Sequence, residues 1–272
     1  MTHKQDNHGK EKKAQGSSEQ KIYLSKHIHF ERIDSTNTWA KRHPEEWDPN
    51  GVTLITASEQ STGRGRFNRQ WVSPANLNIY ATFSFWFDLG RADIGHIPQI
   101  LALAAADTVE SQGFFPTIKW PNDLLLNDKK IAGILCETIL ENGKRGIVCG
   151  IGLNVNMPLE ILNQIDRPAT SLLIEGGNVY EVDSILKLLQ NHFLVKLNTF
   201  LQQGFSPFFP LLQEKSALKK GERIRFHDNQ ILLEVEFEQL LPDGSVELRL
   251  SNGMLKIFHA GEFVAGNDTA SA

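Results

Sequence analysis

The stretch IAGILCETILENGKRGIVCGIGLNV, residues 131–155, decides the fold class of this chain of 272 residues. It holds two apolar runs, 131–138 and 147–155, on either side of Asn142-Gly143. Asn-Gly favours the tight turn between two antiparallel strands, because both residues tolerate a positive φ. We therefore predict a β-hairpin in the middle of the chain.

Further strands are expected on both sides of this hairpin. Residues 52–57 form an apolar run that is typical of a buried strand, and residues 118–120 predict a short one. Residues 77–87 alternate apolar and polar side chains, which predicts a half-buried strand with its apolar side chains on one face.

Helices separate these strands at irregular intervals. Residues 34–43 predict a short helix with several N-cap candidates, and residues 94–105 repeat apolar side chains at helical spacing before Gly113. A long helix is expected from Asp183 as its N-cap to Gly204. Because strands and helices do not alternate as regular βαβ units, the pattern favours an α+β fold.

The C-terminal part of the chain has a different sequence pattern, with short predicted strands and no predicted helix. Closely spaced short strands are expected at residues 223–226, 231–240, 245–250 and 254–259. Turn sequences such as Asp243-Gly244 and Asn252-Gly253 separate them, a pattern that is typical of a small β-barrel. We place the domain boundary between Ser216 and Lys220.

This boundary gives a main domain over residues 22–217 and a small domain over residues 218–266. Residues 1–21 are almost entirely polar and cannot offset the entropy of ordering, so we expect a disordered tail there and a short second tail at 267–272.

Composition excludes several classes of protein. The 28 Lys and Arg against 32 Asp and Glu give a net charge of −4, which is unfavourable for binding nucleic acid through bulk charge. Apolar runs are too short to span a bilayer, and the N-terminus lacks a secretory signal, so we expect a cytoplasmic protein. The two cysteines, Cys136 and Cys149, lack metal-ligand spacing and are expected to be reduced, buried thiols.

The most informative segment for function is GRGRFNRQW, residues 63–71. Arg64, Arg66 and Arg69 place three cations within six residues, and the glycines permit close approach of the backbone to a ligand. The three positive charges in such a loop repel one another unless an anion binds between them. The segment matches neither a phosphate-binding P-loop nor a dinucleotide fingerprint, and a solvated surface loop is an equally valid interpretation.

Two further segments carry candidate residues. In KWPNDLLLNDKKIAG, residues 119–133, Lys119 and Lys130 flank a Pro-Asn-Asp turn, and Asp123 by itself fits a turn cap. In the segment Gly150-x-Gly152-x-Asn154, glycines within a strand indicate close approach of a ligand or a second backbone, although a bulge explains them equally well.

Together these segments resemble the biotin–protein ligases over residues 22–266. The resemblance rests on five motifs in one order: Ser35-Thr36-Asn37, Gln60 before Gly63-Arg64-Gly65-Arg66, Lys119-Trp120-Pro121-Asn122-Asp123, Lys130-x-Ala132-Gly133 and Gly150-x-Gly152-x-Asn154. It implies an α+β catalytic domain similar to class II aminoacyl-tRNA synthetases, with a mixed sheet and flanking helices, followed by an SH3-like barrel.

The resemblance also implies a two-step reaction. Biotin and ATP, with Mg²⁺ carried mainly by the ATP, would form biotinyl-5′-adenylate, which would then acylate one lysine of the biotin carboxyl carrier protein of acetyl-CoA carboxylase. The biotin carboxylate needs no general base, but two like charges near 4 Å repel by about 4 kcal/mol at an effective dielectric of 20. Cations at the α-phosphate would offset this repulsion.

Residue roles follow from the matched motifs. The catalytic candidates are Lys130, Arg64, Arg66, Lys119 and Asp123. The biotin-binding candidates are Ser35, Thr36, Asn37, Gln60, Arg64, Gly65, Arg66, Lys130, Gly133 and Gly150. The nucleotide-binding candidates are Arg64, Arg66, Lys119, Asn122, Lys130 and Asn154.

Among these roles, Lys130 would bridge the biotin carboxylate and the α-phosphate. Arg64 and Arg66 would fold over the adenylate and order their loop only when it is present. Asp123 would orient the acceptor lysine and take its proton. Helix capping is an alternative role for Ser35-Thr36-Asn37. Asn68 stands where many members of the family have Gly, which puts the stiffness of the closed loop in question.

Other functions remain open at this point. Lipoate or octanoate ligases share the catalytic fold, but the segment Gly63–Arg66 fits biotin better. An inactive biotin-sensing module is the non-enzymatic alternative, and retention of Arg64, Arg66, Lys119 and Lys130 argues against it. The polar segment before Ile22 does not fit a winged-helix domain, so we expect no DNA binding. A homodimer is possible, and no motif decides it.

Overall fold

The computed structural model describes residues 21–228 and 231–264. Apart from Lys21, the predicted tails lie outside these ranges. The strands are β1 (Leu24–Ile33), β2 (Val52–Gln60), β3 (Ile79–Asp88), β4 (Thr117–Lys119), β5 (Asp123–Leu126), β6 (Lys129–Glu141), β7 (Lys144–Leu153), β8 (Arg223–His227), β9 (Leu232–Leu240), β10 (Val246–Leu250), β11 (Leu255–Phe258) and β12 (Glu262–Val264). The helices are α1 (Thr36–Arg42), α2 (Ile97–Glu110), α3 (Leu159–Leu162), α4 (Leu172–Gly176), α5 (Val182–Gln203) and α6 (Phe209–Glu214).

The predicted central hairpin is confirmed as β6 and β7. The two strands pair antiparallel from Ala132 opposite Leu153 to Glu141 opposite Lys144. At the tip, Asn142 has a φ of 49° and Gly143 a φ of 72°, as a two-residue turn with two positive φ angles requires. Both cysteines are free thiols and stand opposite each other on this hairpin, although Cys149 is buried and Cys136 is partly exposed.

The hairpin belongs to a mixed seven-stranded sheet with the order β1-β2-β3-β7-β6-β5-β4. Strands β1 and β2 are parallel, and every other neighbouring pair is antiparallel. The α+β class with a mixed sheet is therefore confirmed. Sequence reasoning missed β1 and β5, because β1 lies at an edge of the sheet and β5 is short.

The expectation of a half-buried β3 was wrong, because both faces of this strand are buried. Its apolar side chains, including Phe83 and Phe85, belong to the main hydrophobic core. On the opposite face Tyr80, Thr82 and Ser84 are also at most 2% exposed. The hydroxyls of Tyr80 and Thr82 are hydrogen-bonded, as buried polar groups usually are, whereas Ser84 Oγ has no partner. This polar face carries the candidate site.

Helices cover both faces of the sheet. On the apolar face α2 and α5 pack together, and the ring of Phe193 on α5 lies 4.6 Å from that of Phe83. On the polar face the short helix α1 is confirmed, with Ser35 as its N-cap. The N-cap of α5 is Glu181 and not Asp183, which lies in the first turn, whereas Gly204 ends the helix as predicted. None of the helices in the described ranges is long and apolar enough to cross a membrane.

The C-terminal strands form a five-stranded antiparallel sheet with the order β11-β10-β9-β8-β12. The four predicted strands are present and β12 was missed. Within the described ranges β11 and β12 are the edges and do not pair, so no closed barrel is found. Trp120 connects this sheet to the main one, since its ring lies 5.9 Å from that of Phe263 and its Nε1 donates to the carbonyl of Gly244 at 2.9 Å.

We predict that Phe193→Ala lowers the free energy of unfolding by about 3–5 kcal/mol, because it leaves a cavity between α5 and β3. Val195 on the same helix is 66% exposed and provides the matched control, so Val195→Ala should change stability by less than about 0.5 kcal/mol. Urea denaturation followed by circular dichroism measures both. Equal losses for the two variants would contradict the described packing.

Candidate active site

A cavity of about 420 Å³ opens on the polar face of the large sheet. Its lining includes all but one of the residues proposed from the sequence, namely Ser35, Thr36, Asn37, Gln60, Arg64, Gly65, Arg66, Asn122, Asp123, Lys130, Gly133, Gly150 and Asn154. The exception is Lys119, which stands opposite Asp123 on β4 but does not line the cavity. Motifs far apart in the sequence thus meet in one place.

The N-terminal end of α1 forms a tightly hydrogen-bonded part of the wall. The backbone N–H of Thr36 donates to Gln60 Oε1 at 2.9 Å, and Gln60 Nε2 donates to Ser73 Oγ at 3.0 Å. The hydroxyl of Thr82 on β3 donates to Asn37 Oδ1 at 2.6 Å. Helix capping and a place in the cavity wall are therefore compatible for Ser35-Thr36-Asn37, and these side chains are fixed in position.

The glycines of β6 and β7 make room for two side chains of the protein itself. A Cβ atom on Gly150 would lie 1.9 Å from Asn37 Oδ1. A Cβ atom on Gly152 would lie 2.3 Å from the indole of Trp71, and the same ring lies 3.0 Å from the corresponding position on Gly133. The sequence predicted that a ligand or a second backbone approaches Gly150 and Gly152, whereas the groups that lie against them are side chains of the protein itself.

Sequence reasoning gave no role to Trp71, although it closes the arginine-rich segment. Its indole lies against β6 and β7, and Lys130 Nζ is 5.4 Å from the centre of the ring. Trp71 Nε1 and Asn154 Oδ1 are buried polar atoms without a hydrogen-bond partner, and both residues line the cavity. An unpaired buried polar atom is unfavourable, so the wall suits a ligand that brings both an acceptor and a donor.

Oxygen atoms of the protein hold the arginines of the 63–71 segment. Arg64 Nη1 lies 3.2 Å from Glu137 Oε1 on β6. Arg69 Nη1 contacts both carboxylate oxygens of Glu262 on β12, at 2.5 and 2.6 Å. The anions that these arginines were expected to need are supplied by the protein, because carboxylates from two other strands offset the repulsion.

Arg66 is more buried than Arg64 and Arg69, the other two arginines of the segment. It donates from Nη1 to Asn122 Oδ1 and from Nη2 to the carbonyl of Gly261, each at 3.1 Å. Burial lowers the pKa of its guanidinium from the ordinary value. The turn that follows has positive φ angles at Phe67 (54°) and Asn68 (58°), and asparagine tolerates this left-handed region better than most residues.

The two proposed catalytic groups of β5 and β6 form an ion pair. Lys130 Nζ lies 2.7 Å from Asp123 Oδ1, and both side chains are less than 20% exposed. Within the described residues no group of three or more His, Cys, Asp or Glu side chains could hold a metal ion. The cavity wall contains the cationic side chains of Arg64, Arg66 and Lys130 together with the polar side chains of Asn37 and Gln60.

Comparison with known proteins agrees with this geometry. Residues 29–154 match the Biotin/lipoate A/B protein ligase family. The chain is similar to a solved structure titled "Biotin protein ligase from Aquifex aeolicus in complex with biotin and ATP", with 26% identity, a TM-score of 0.73 and coverage of 89% of this chain and 98% of that one.

Two relatives with similar sequences also indicate the family of this chain. The "Biotin--[acetyl-CoA-carboxylase] ligase" of Paracoccus denitrificans is 30% identical over 244 residues, which are 86% of this chain and 99% of that protein. The "Bifunctional ligase/repressor BirA" of Bacillus subtilis is 30% identical over 239 residues, which are 86% of this chain and 72% of that protein. The chain belongs to the biotin–protein ligases and is a ligase enzyme.

We predict that Glu262→Gln loosens the 63–71 segment, because Arg69 loses its charged partner on the second sheet. Trypsin cleaves after arginine, so cleavage within the segment should become about 2–5-fold faster, as expected for loss of an exposed ion pair. Glu214→Gln, at an exposed carboxylate on α6, should leave cleavage unchanged. Equal rates in the wild type and Glu262→Gln would show that β12 does not hold the segment.

Proposed function

We propose that this ligase activates biotin with ATP and transfers the biotinyl group to one lysine of a carrier protein. The observation that carries this proposal is the convergence of Arg64, Arg66 and Lys130 in the wall of one cavity that also contains fixed polar groups at Asn37. Biotin combines a neutral ureido ring with an aliphatic carboxylate, and such a ligand requires both kinds of group.

The first step joins two anions, the biotin carboxylate and the α-phosphate of ATP. Lys130 is the proposed bridge between them, and Arg64 and Arg66 would stabilise the negative charge that spreads over the phosphate in the transition state. ATP would bring the Mg²⁺. Asn122 and Asn154 are proposed to contact the nucleotide. Closure of the arginines over the adenylate would keep water from the mixed anhydride.

The second step needs an uncharged amine on the acceptor. A free lysine with a pKa near 10.4 is deprotonated about once in 2,500 at pH 7, which corresponds to about 4.6 kcal/mol. We propose that Asp123 orients this lysine and accepts its proton. The ion pair with Lys130 supports a second role, since Asp123 also fixes the side chain that would hold the adenylate.

The partner and the finer fold assignments are also proposals. The name of the Paracoccus relative supports the biotin carboxyl carrier protein of acetyl-CoA carboxylase as the acceptor. The order of the five strands over residues 223–264 supports an SH3-like second domain, and the mixed sheet with its helices supports a relation to class II aminoacyl-tRNA synthetases. Four further points stay predictions from the sequence: the absence of DNA binding, a homodimer, a role for Lys119 and a cytoplasmic location.

We predict that Lys130→Ala lowers biotin-dependent ATP–pyrophosphate exchange about 100–1,000-fold, the usual effect of removing one group that stabilises transition-state charge. Lys129→Ala, at the exposed neighbouring position on the same strand, is the matched control and should retain activity. Exchange that depends on lipoate and not on biotin would favour the related ligase class.

Mass spectrometry of a carrier domain should detect the addition of one biotinyl group on one lysine.

We predict that Asp123→Asn slows transfer from preformed adenylate about 10-fold more than it slows adenylate formation, because the loss of a general base contributes at least this much. Pyrophosphate exchange measures the first step, and single-turnover transfer to the carrier domain measures the second. If both steps fall equally, Asp123 acts by positioning Lys130 and does not accept the proton.

A further inference from the structure

Glu137, a residue for which the sequence suggested no role, connects three elements next to the cavity. It lies on β6, its side chain is 21% exposed, and it does not line the cavity. Its carboxylate lies 2.6 Å from Lys41 Nζ on α1, 3.2 Å from Arg64 Nη1 and 3.3 Å from Asn37 Nδ2. One carboxylate thus faces two cations and one amide.

The contact with Asn37 belongs to a fixed part of the wall. Asn37 Nδ2 also donates to the carbonyl of Leu135 at 2.9 Å, while its Oδ1 accepts from Thr82. With partners on both sides of the amide and Gly150 against it, Asn37 remains in place whether or not the carboxylate of Glu137 is charged.

The contact with Arg64 is different, because Arg64 belongs to the segment that would close over the ligand. Its side chain is 38% exposed, and it lines the cavity. If Arg64 turns toward a ligand, Glu137 keeps Lys41, which lies closer than Arg64 does. The carboxylate is therefore not left without a counter-charge, which is the costly outcome when a buried ion pair breaks.

We propose that Glu137 is a positioning residue that competes with the anionic group of the ligand for Arg64, and that Lys41 sets the strength of this competition. The inference rests on the proposed function, and it assumes that the biotin carboxylate, which Lys130 would hold, also reaches Arg64 in the same cavity wall. Glu137 holds the guanidinium beside the cavity, and the anionic group of the ligand would replace Glu137 as its partner.

The proposal makes opposite predictions for two neutralising variants. In Glu137→Gln the competitor loses its charge, so biotin, which is an anion at pH 7, should bind about 3–10-fold more tightly, the range of a partly exposed ion pair of about 0.7–1.4 kcal/mol. In Lys41→Met the carboxylate pairs with Arg64 alone, so biotin should bind more weakly by a similar factor. The double variant should behave like Glu137→Gln.

Calorimetry at pH 7 with biotin and with uncharged biotin amide tests this proposal. The affinity for the amide should stay within about twofold in all variants, because the amide brings no charge to Arg64. Lys26→Met removes a lysine from a separate exposed pair with Glu46 and is the matched control for Lys41→Met, with no expected change in affinity. Circular dichroism establishes that each variant is folded.

The outcomes separate the two proposals. If the wild-type protein binds neither biotin nor its amide, the proposed function is wrong. If it binds biotin, but Glu137→Gln weakens biotin binding or shifts both ligands equally, the competition is wrong and the function stands. Changes in the same direction for Glu137→Gln and Lys41→Met would identify a purely structural role. Should Glu137→Gln fail to fold, Lys41→Met is judged with both ligands: weaker binding of biotin with unchanged binding of its amide supports the competition, and equal weakening of both contradicts it.

Discussion

Repulsion between cations is the constraint on which the candidate site depends. Lys130 and the arginines of the 63–71 segment lie in one wall, and at a few ångströms like charges repel by several kcal/mol. Carboxylates on three different strands offset this repulsion, Asp123 on β5, Glu137 on β6 and Glu262 on β12. The site is therefore assembled by both sheets, and the second sheet, through β12, holds part of the cavity wall.

The large sheet can carry such a polar wall because its two faces are built differently. On one face Phe83 and Phe85 pack against Phe193 of α5 and form a rigid apolar layer. On the other face Thr82 lies in the same strand but joins the hydrogen bonds around Asn37. Apolar and polar side chains alternate along β3, so one face of the strand contributes to the hydrophobic core and the other holds Asn37 in the cavity wall.

Local sequence patterns predicted much of this architecture, and the resemblance to the biotin–protein ligases predicted which residues line the cavity. The hairpin followed from Asn142-Gly143, and helix α1 followed from its capping residues, because in both cases the signal lies within a few residues. The motifs around Arg64, Lys130 and Gly150 were expected to form one site, and they line one cavity.

The parts that the sequence did not predict depend on contacts between residues far apart in the chain. Glu137 and Arg64 are 73 positions apart, and Arg69 and Glu262 are 193 positions apart. The register of the strands creates these pairs, and no short pattern encodes it. The burial of Thr82 was misjudged for the same reason, since a polar residue looks exposed until its distant partners are known.

These long-range pairs explain how contacts within the protein hold the 63–71 segment in place. A loop whose arginines had no partner would lose conformational entropy on binding, and this loss would weaken the complex. A segment already fixed by carboxylates has lost that entropy on folding, so the ligand needs to replace only individual partners. Glu137 suits such an exchange because it contacts cations on two separate elements, Arg64 in the segment and Lys41 on α1. On the proposed competition, the preorganised wall would discriminate by charge, since a neutral ligand has nothing to offer Arg64 in place of the carboxylate.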